Sequence, residues 1–174
     1  GFDLHTVVIN WPEFRSLQRS YLRAGVVDIE ALSDHAIFAS LFKICKQYKI
    51  RTVLAGNNYR TEHGLPESWV WAKTDLKNIK AINQSFEKCK LESFPTMTTF
   101  QWTLMRGLSF GGVFEKPLDK INYQRTAAIK LLRREFGWED YGGKHCESTF
   151  TKFYQGYILP KNSRLINEKA TCLR

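Results

Sequence analysis

Cysteine is sparse and unpaired. The four cysteines, Cys45, Cys89, Cys146 and Cys172, are scattered through 174 residues, and none stand at Cys-x-x-Cys spacing. That argues against a zinc knuckle, a redox motif or a disulfide scaffold, and for reduced cytosolic thiols, with Cys45 on an apolar helix face as a core residue. No apolar run approaches the roughly 20 residues that cross a bilayer. No basic segment followed by an apolar one opens the chain, so no secretion signal is read there. Because a strand-like run follows Gly1 with hardly any polar lead-in, the chain is expected to be part of a longer protein.

What is present fits a folded domain. Hydrophobic residues make up 43% and aromatics 14% of the chain, too many for a disordered polymer. Lysine and arginine number 26 against 17 acids, a formal net charge of +9. Such an excess favours anionic partners: nucleotides, phosphorylated sugars, nucleic acid or an acidic protein. The cations are dispersed, with Arg133-Arg134 the densest pair, whereas a nucleic-acid binder more often shows a stripe.

Periodicity gives the elements. Leu4 to Ile9 is β-branched and apolar and predicts a buried strand. Pro12 and Glu13 suit the first turn of a helix over 12–24, with Phe14, Leu17, Tyr21 and Leu22 in register and Gly25 closing it. Ser33 or Asp34 is expected to cap a second helix carrying Ile37, Phe38, Leu41, Phe42 and Cys45. Arg51 to Ala55 predicts another buried strand, left through Gly56. Strand, helix, helix, strand implies a parallel sheet with helices packed on it. From Lys73 onward the pattern is helical and aromatic, an accessory lobe rather than more sheet. Its helices are expected after Thr74 or Asp75, through Phe100 and Leu104, from Asn122 to Phe136, and from about Ser148 to Tyr157. The expected division is 1–72 for the α/β part, 73–160 for the helical lobe and 161–174 for a polar tail.

Two segments can carry chemistry. The first is Gly56-Asn57-Asn58-Tyr59-Arg60-Thr61-Glu62-His63. Glycine at a strand end lets a ligand approach the backbone, and two asparagines offer amide donors and acceptors. Arg60 can fork onto a phosphate, and Glu62 can hold a metal-bound phosphate or a sugar hydroxyl. The plain alternative is a turn built from turn-forming residues. Its place at the carboxyl end of a parallel strand favours function, because open α/β sheets take ligands there. The second is Gly142-Gly143-Lys144-His145-Cys146-Glu147-Ser148, which sets a cation, an imidazole and a carboxylate beside a glycine pair. A general acid or base at His145 and a loop leading into an N-capped helix stand level. Asp34 reads as a cap, His35 as a surface or core histidine, and 69–73 as packing, with an aromatic stacked on a sugar or base as the lesser reading.

The stretches Leu54 to Gly64, Trp102 to Gly107 and Tyr141 to Gln155 resemble the N-acetyl sugar amidotransferases of bacterial surface-polysaccharide synthesis. The likeness runs to about Pro160, and its Gly-Gly-Lys-His, Glu-Ser and Phe-Tyr-Gln elements are long and unusual. The resemblance implies a Rossmann-like α/β fold of the adenine-nucleotide α-hydrolase, or PP-loop, class. It implies that ATP, with Mg2+, activates the acetamido oxygen of a nucleotide-activated N-acetyl sugar. Ammonia from a glutaminase subunit then displaces that oxygen to give an acetamidino group, in lipopolysaccharide O-antigen or flagellin-glycan synthesis in the cytoplasm. By position, Gly56, Asn57 and Asn58 would face ATP, Arg60, Glu62 and His63 the substrate, and Lys144, His145 and Glu147 the reacting sugar.

One departure is large. The class binds ATP phosphates on Ser-Gly-Gly-x-Asp-Ser, and this sequence contains no such loop. These residues are therefore expected to form half of a site, and this chain alone is not expected to use ATP productively. Two other readings remain: a PP-loop enzyme that modifies transfer RNA, for which no Cys-x-x-Cys relay is visible, and a non-catalytic interaction module.

Overall fold

In the computed structural model, residues 3–59, 71–107, 113–139, 148–158 and 161 are described. Six α-helices and a two-stranded parallel sheet are found among them, a mixed α/β arrangement. Two compact units are formed, Gly1–Gly56 with Pro66–Pro117, and Asn57–Leu65 with Leu118–Arg174.

The first unit is built on three helices: α1 (Trp11–Arg23), α2 (Ala31–Gln47) and α3 (Leu76–Ser85). Asn10 starts α1 by accepting the Glu13 N–H on its side chain at 3.3 Å. Gly25, at φ +67, ends it: its N–H reaches Leu22 O at 3.2 Å, and Val26 N–H reaches Tyr21 O at 3.2 Å. This is a Schellman closure, and it needs a residue that tolerates the left-handed region. The same closure ends α2 through Ile50 N–H to Cys45 O at 2.8 Å, with Lys49 at φ 55 where glycine is the usual choice. Leu17, Tyr21, Leu32, Ala36, Ile79 and Phe94 form the core, with Ile9, Phe14, Val26 and Ile82 packed around it.

The sheet pairs β1 (Thr52–Leu54) with β2 (Val113–Glu115), Val53 opposite Phe114. Between them lie α3 and α4 (Thr99–Gly107), so the parallel strands are joined by a helical crossover, as parallel pairing requires. Phe38 of α2, Trp102 of α4 and Phe114 of β2 meet edge-on or tilted, with centroids 5.0 to 6.5 Å apart, and join the helices to the strand.

Three expectations are corrected. Leu4 to Ile9 forms no strand: it pairs with no described strand, and Leu4 and Val8 are 89% and 88% exposed. Side-chain type supplies strand propensity, but the ladder needs a neighbour to share hydrogen bonds. The region after Lys73 does contribute sheet, through β2. Asp34 is not the cap of α2, which starts after Glu30; Asp34 already donates its N–H to Glu30 O within the helix.

The second unit holds α5 (Arg125–Phe136) and α6 (Thr149–Phe153), which runs into a π-helical turn over Tyr154–Ile158. Ser148 caps α6 by accepting the Thr151 N–H at 3.2 Å. Leu131, Leu132 and Phe136 keep α5 amphipathic, yet each is exposed.

The Glu13 carboxylate secures α1 from the other side of the core. It is 7% exposed. It accepts the Ser93 N–H at 3.1 and 3.2 Å, the Ser93 hydroxyl at 2.8 Å and the Phe94 N–H at 2.8 Å. Burial raises its pKa, but these donors outweigh burial and hold it below the usual glutamate value of 4.5. A depressed pKa stabilises the fold above 4.5, and that contribution is lost as pH falls through the lower folded value. Glu13→Gln is expected to cost about 2 kcal/mol at neutral pH and to flatten the acid limb of the stability curve. Urea unfolding across pH measures both.

Candidate functional site

The expected site residues fall in two segments, 56–63 and 144–147. At the carboxyl end of β1, Ala55 N–H continues the ladder to Glu115 O at 2.9 Å, and the chain leaves through Gly56. Gly56 is exposed, and a Cβ added there would meet nothing within 4 Å, so packing does not demand glycine at this position. Asn57 is exposed, while Asn58 is 4% exposed and engaged by neighbours. In the second unit, Tyr59 N–H donates to Asp119 Oδ1 at 2.9 Å. Arg60, Glu62, His63, Lys144, His145 and Glu147 lie outside the described residues.

The first unit holds a cleft where the sequence predicts a cap at Asp34 and packing over 69–73. Tyr21, Asp28, Trp71, Lys73, Asp75 and Asn78 line a cleft of about 50 Å³. The helices and their entries place these groups. Tyr21 lies in the last turns of α1, and Asp28 lies in the link to α2. Asp75 caps α3, accepting Asn78 N–H at 3.1 Å and the Trp71 indole N–H at 2.8 Å. Those donors hold the Asp75 carboxyl below its ordinary pKa, the Trp71 contact counting most.

Lys73 sits between two aspartates. Its ammonium is in close contact with Asp34 Oδ2 and lies 3.5 Å from Asp28 Oδ2. Asp28 is 6% exposed, and burial pushes its carboxyl up despite Lys73, with Asp34 and Glu30 adding repulsion. Burial works against the Lys73 charge, but the two aspartates win and raise its pKa. The Tyr21 hydroxyl is pushed well up by burial and by the charges of Asp28 and Asp75, so it remains a neutral phenol.

His35 holds the frame of the cleft. Its side chain is fully buried. Nδ1 lies 2.7 Å from Lys73 O, and Nε2 accepts the Met97 N–H at 3.1 Å. These partners assign the proton to Nδ1 and keep Nε2 as an acceptor. Of its two sequence readings, His35 therefore takes the core one, as a clamp between α2 and two loops. Nothing local marks it, because both partners lie far along the chain.

No family model, curated protein or solved structure matches the chain. Among the described residues, no group of three His, Cys, Asp or Glu side chains could hold a metal, and no helix is long and apolar enough to cross a membrane.

Burial lowers the His35 pKa below 6.5, against the pull of the Lys73 carbonyl and Asp75. A depressed histidine pKa stabilises the fold above 6.5, and that contribution is lost as pH falls through the folded value. A pH series of imidazole nitrogen shifts is expected to show His35 neutral at 6.5, with the proton on Nδ1. Titration at or above that value would contradict the clamp.

Proposed function

We propose that this chain serves an ATP-dependent amidotransferase that converts the acetamido group of a nucleotide-linked sugar to an acetamidino group. The observation that carries the reading is that Gly56 and Asn57 follow the carboxyl end of a strand in a parallel pair and are exposed. The carboxyl ends of parallel strands are where open α/β folds receive ligands. The long resemblance through Tyr141 to Gln155 supports the sugar chemistry.

An amide carbonyl is a poor electrophile. In the proposed reaction its oxygen attacks the α-phosphorus of ATP, and pyrophosphate leaves. Ammonia then adds to the carbon, AMP departs with the original oxygen, and loss of a proton gives the amidine. Holding two reactants in line is mostly positioning and electrostatics. Asn57 offers its amide to the nucleotide, beside a buried and already engaged Asn58, and Arg60 a planar cation to its phosphates. Glu62 and His63 offer an acceptor and an imidazole to the sugar. By the resemblance, Lys144, His145 and Glu147 take the reacting sugar, Lys144 opposing charge developing on oxygen and His145 taking the proton from the attacking nitrogen.

The fit of the implied groups is partial. The cleft is acidic and, at about 50 Å³, far below the several hundred Å³ of a nucleotide site, so ATP does not belong there. Among the described residues no group of three His, Cys, Asp or Glu side chains stands ready to hold Mg2+.

The test is to incubate the full-length protein with ATP, ammonium and a panel of nucleotide-linked N-acetyl sugars, and to follow the acetamido carbon by NMR. Amidine formed together with AMP and pyrophosphate is the expected result; turnover of none of the sugars rejects the reading. Asn57 is exposed, so Asn57→Ala is expected to shift stability by no more than about 0.5 kcal/mol. Loss of an amide contact to a charged phosphate in the same variant is expected to slow ATP use about tenfold or more. Unaltered ATP kinetics would remove the nucleotide from this turn. Lys144→Ala with sugar turnover intact would favour a non-catalytic module.

A further inference from the structure

β1 and β2 run parallel with Leu54 opposite Glu115, so the chain leaves both strands at the same end of the ladder. Ala55 N–H adds a bond there, to Glu115 O at 2.9 Å. In the second unit, Tyr59 N–H donates to Asp119 Oδ1 at 2.9 Å, across 60 residues of sequence. Asp119 stands in a 3₁₀ turn over Pro117–Lys120, where the Pro117 ring fixes φ at the first position. The carboxylate is thus carried on a stiff turn, and the group it holds is main chain, which does not shift without its neighbours. Asn57, exposed, lies just before that fixed N–H.

Stability does not account for this contact. It lies at the surface, with Tyr59 62% exposed, and an exposed hydrogen bond contributes little to folding. What it fixes is the course of the chain beside Asn57. A carboxylate repels phosphate, so Asp119 is not itself a nucleotide ligand and acts through the backbone it holds. A segment that must be ordered at each binding event loses affinity to that ordering, and a segment already tied in place does not. We propose that Asp119 is a positioning residue for the nucleotide turn, its carboxylate holding Tyr59 N–H so that Asn57 presents its amide in one place. The inference rests on the reading of Gly56 and Asn57 as that turn.

ATP affinity of the full-length protein is measured by calorimetry, with hydrogen exchange at the Tyr59 amide alongside, for the wild type, Asp119→Ala, Asp119→Asn, Asn57→Ala and the Asn57→Ala, Asp119→Ala pair. Asp119→Ala is expected to speed Tyr59 exchange about tenfold and to weaken ATP binding about fivefold or more, with the unfolding midpoint retained. Asp119→Asn keeps an acceptor oxygen and is expected to restore both to within about threefold of the wild type. Because Asp119 acts through Asn57, its loss is expected to cost less than about twofold in the Asn57→Ala background. Asp119→Leu, of similar size but without an acceptor, takes the place of Asp119→Ala if that variant does not fold. Tyr59 exchange unchanged in a folded variant overturns the proposal, whatever becomes of ATP. Faster exchange with ATP affinity unchanged, or losses that add fully with Asn57→Ala, overturns it too and leaves the nucleotide at the turn. Wild-type protein that binds no ATP rejects the nucleotide turn itself and the positioning role with it.

Discussion

A neutral imidazole buried between two loops is the contact on which the first unit turns. His35 leaves α2 and meets the Lys73 carbonyl on one side and the Met97 N–H on the other. Each of those backbone groups would otherwise be buried without a partner or forced out to water. Glu13 does the same from α1, with a carboxylate that takes donors from Ser93 and Phe94. Phe94 then lies between the Phe14 and His35 rings, with centroids 6.4 Å from each. Two buried polar side chains thus lay the long loops over the three-helix core. Because His35 fixes the Lys73 backbone, it also aims the Lys73 ammonium at Asp28 and Asp34, so the cleft inherits its shape from the clamp.

Short-range signals in the sequence translated well into elements. Pro12 and Gly25 bracket α1, Asp75 caps α3, and Ser148 caps α6, each where its local chemistry implied, while the Asn10 cap of α1 emerged only in the structure. Arg51 to Ala55 yielded β1, shortened to Thr52–Leu54 and, against the expected burial, largely exposed, with Leu54 at 73%. What failed depended on partners distant in sequence. Leu4 to Ile9 has the composition of a strand but no described neighbour to pair with. Val113 to Glu115 is only a three-residue strand, and its pairing with β1 is set by the crossover, not by its own pattern. Asp34 resembled a cap because aspartate often is one; instead it serves Lys73, which lies 39 residues away. Glu13 was legible as a partner for the α1 dipole, while its role in holding residues 93 and 94 carries no local mark.

Two kinds of chemistry separate along the chain. The net charge of +9 suits anionic ligands, and Arg60 and Lys144 are the cations that the sugar reading assigns to them. The cleft on the first unit has the opposite sign and a small volume. A single ligand does not satisfy both descriptions, so the overall charge is a poor guide to this particular hollow. Local burial decides instead, because carboxylates removed from water interact far more strongly than the same charges dispersed on a surface.

The most direct test of this account is a through-hydrogen-bond nitrogen–nitrogen coupling measured by NMR between the Met97 amide and His35 Nε2. The account predicts a resolved coupling at neutral pH, lost only under conditions that protonate the ring. Absence of coupling in the folded protein, with Nε2 rather than Nδ1 carrying the proton, would contradict it and remove the frame on which the cleft rests.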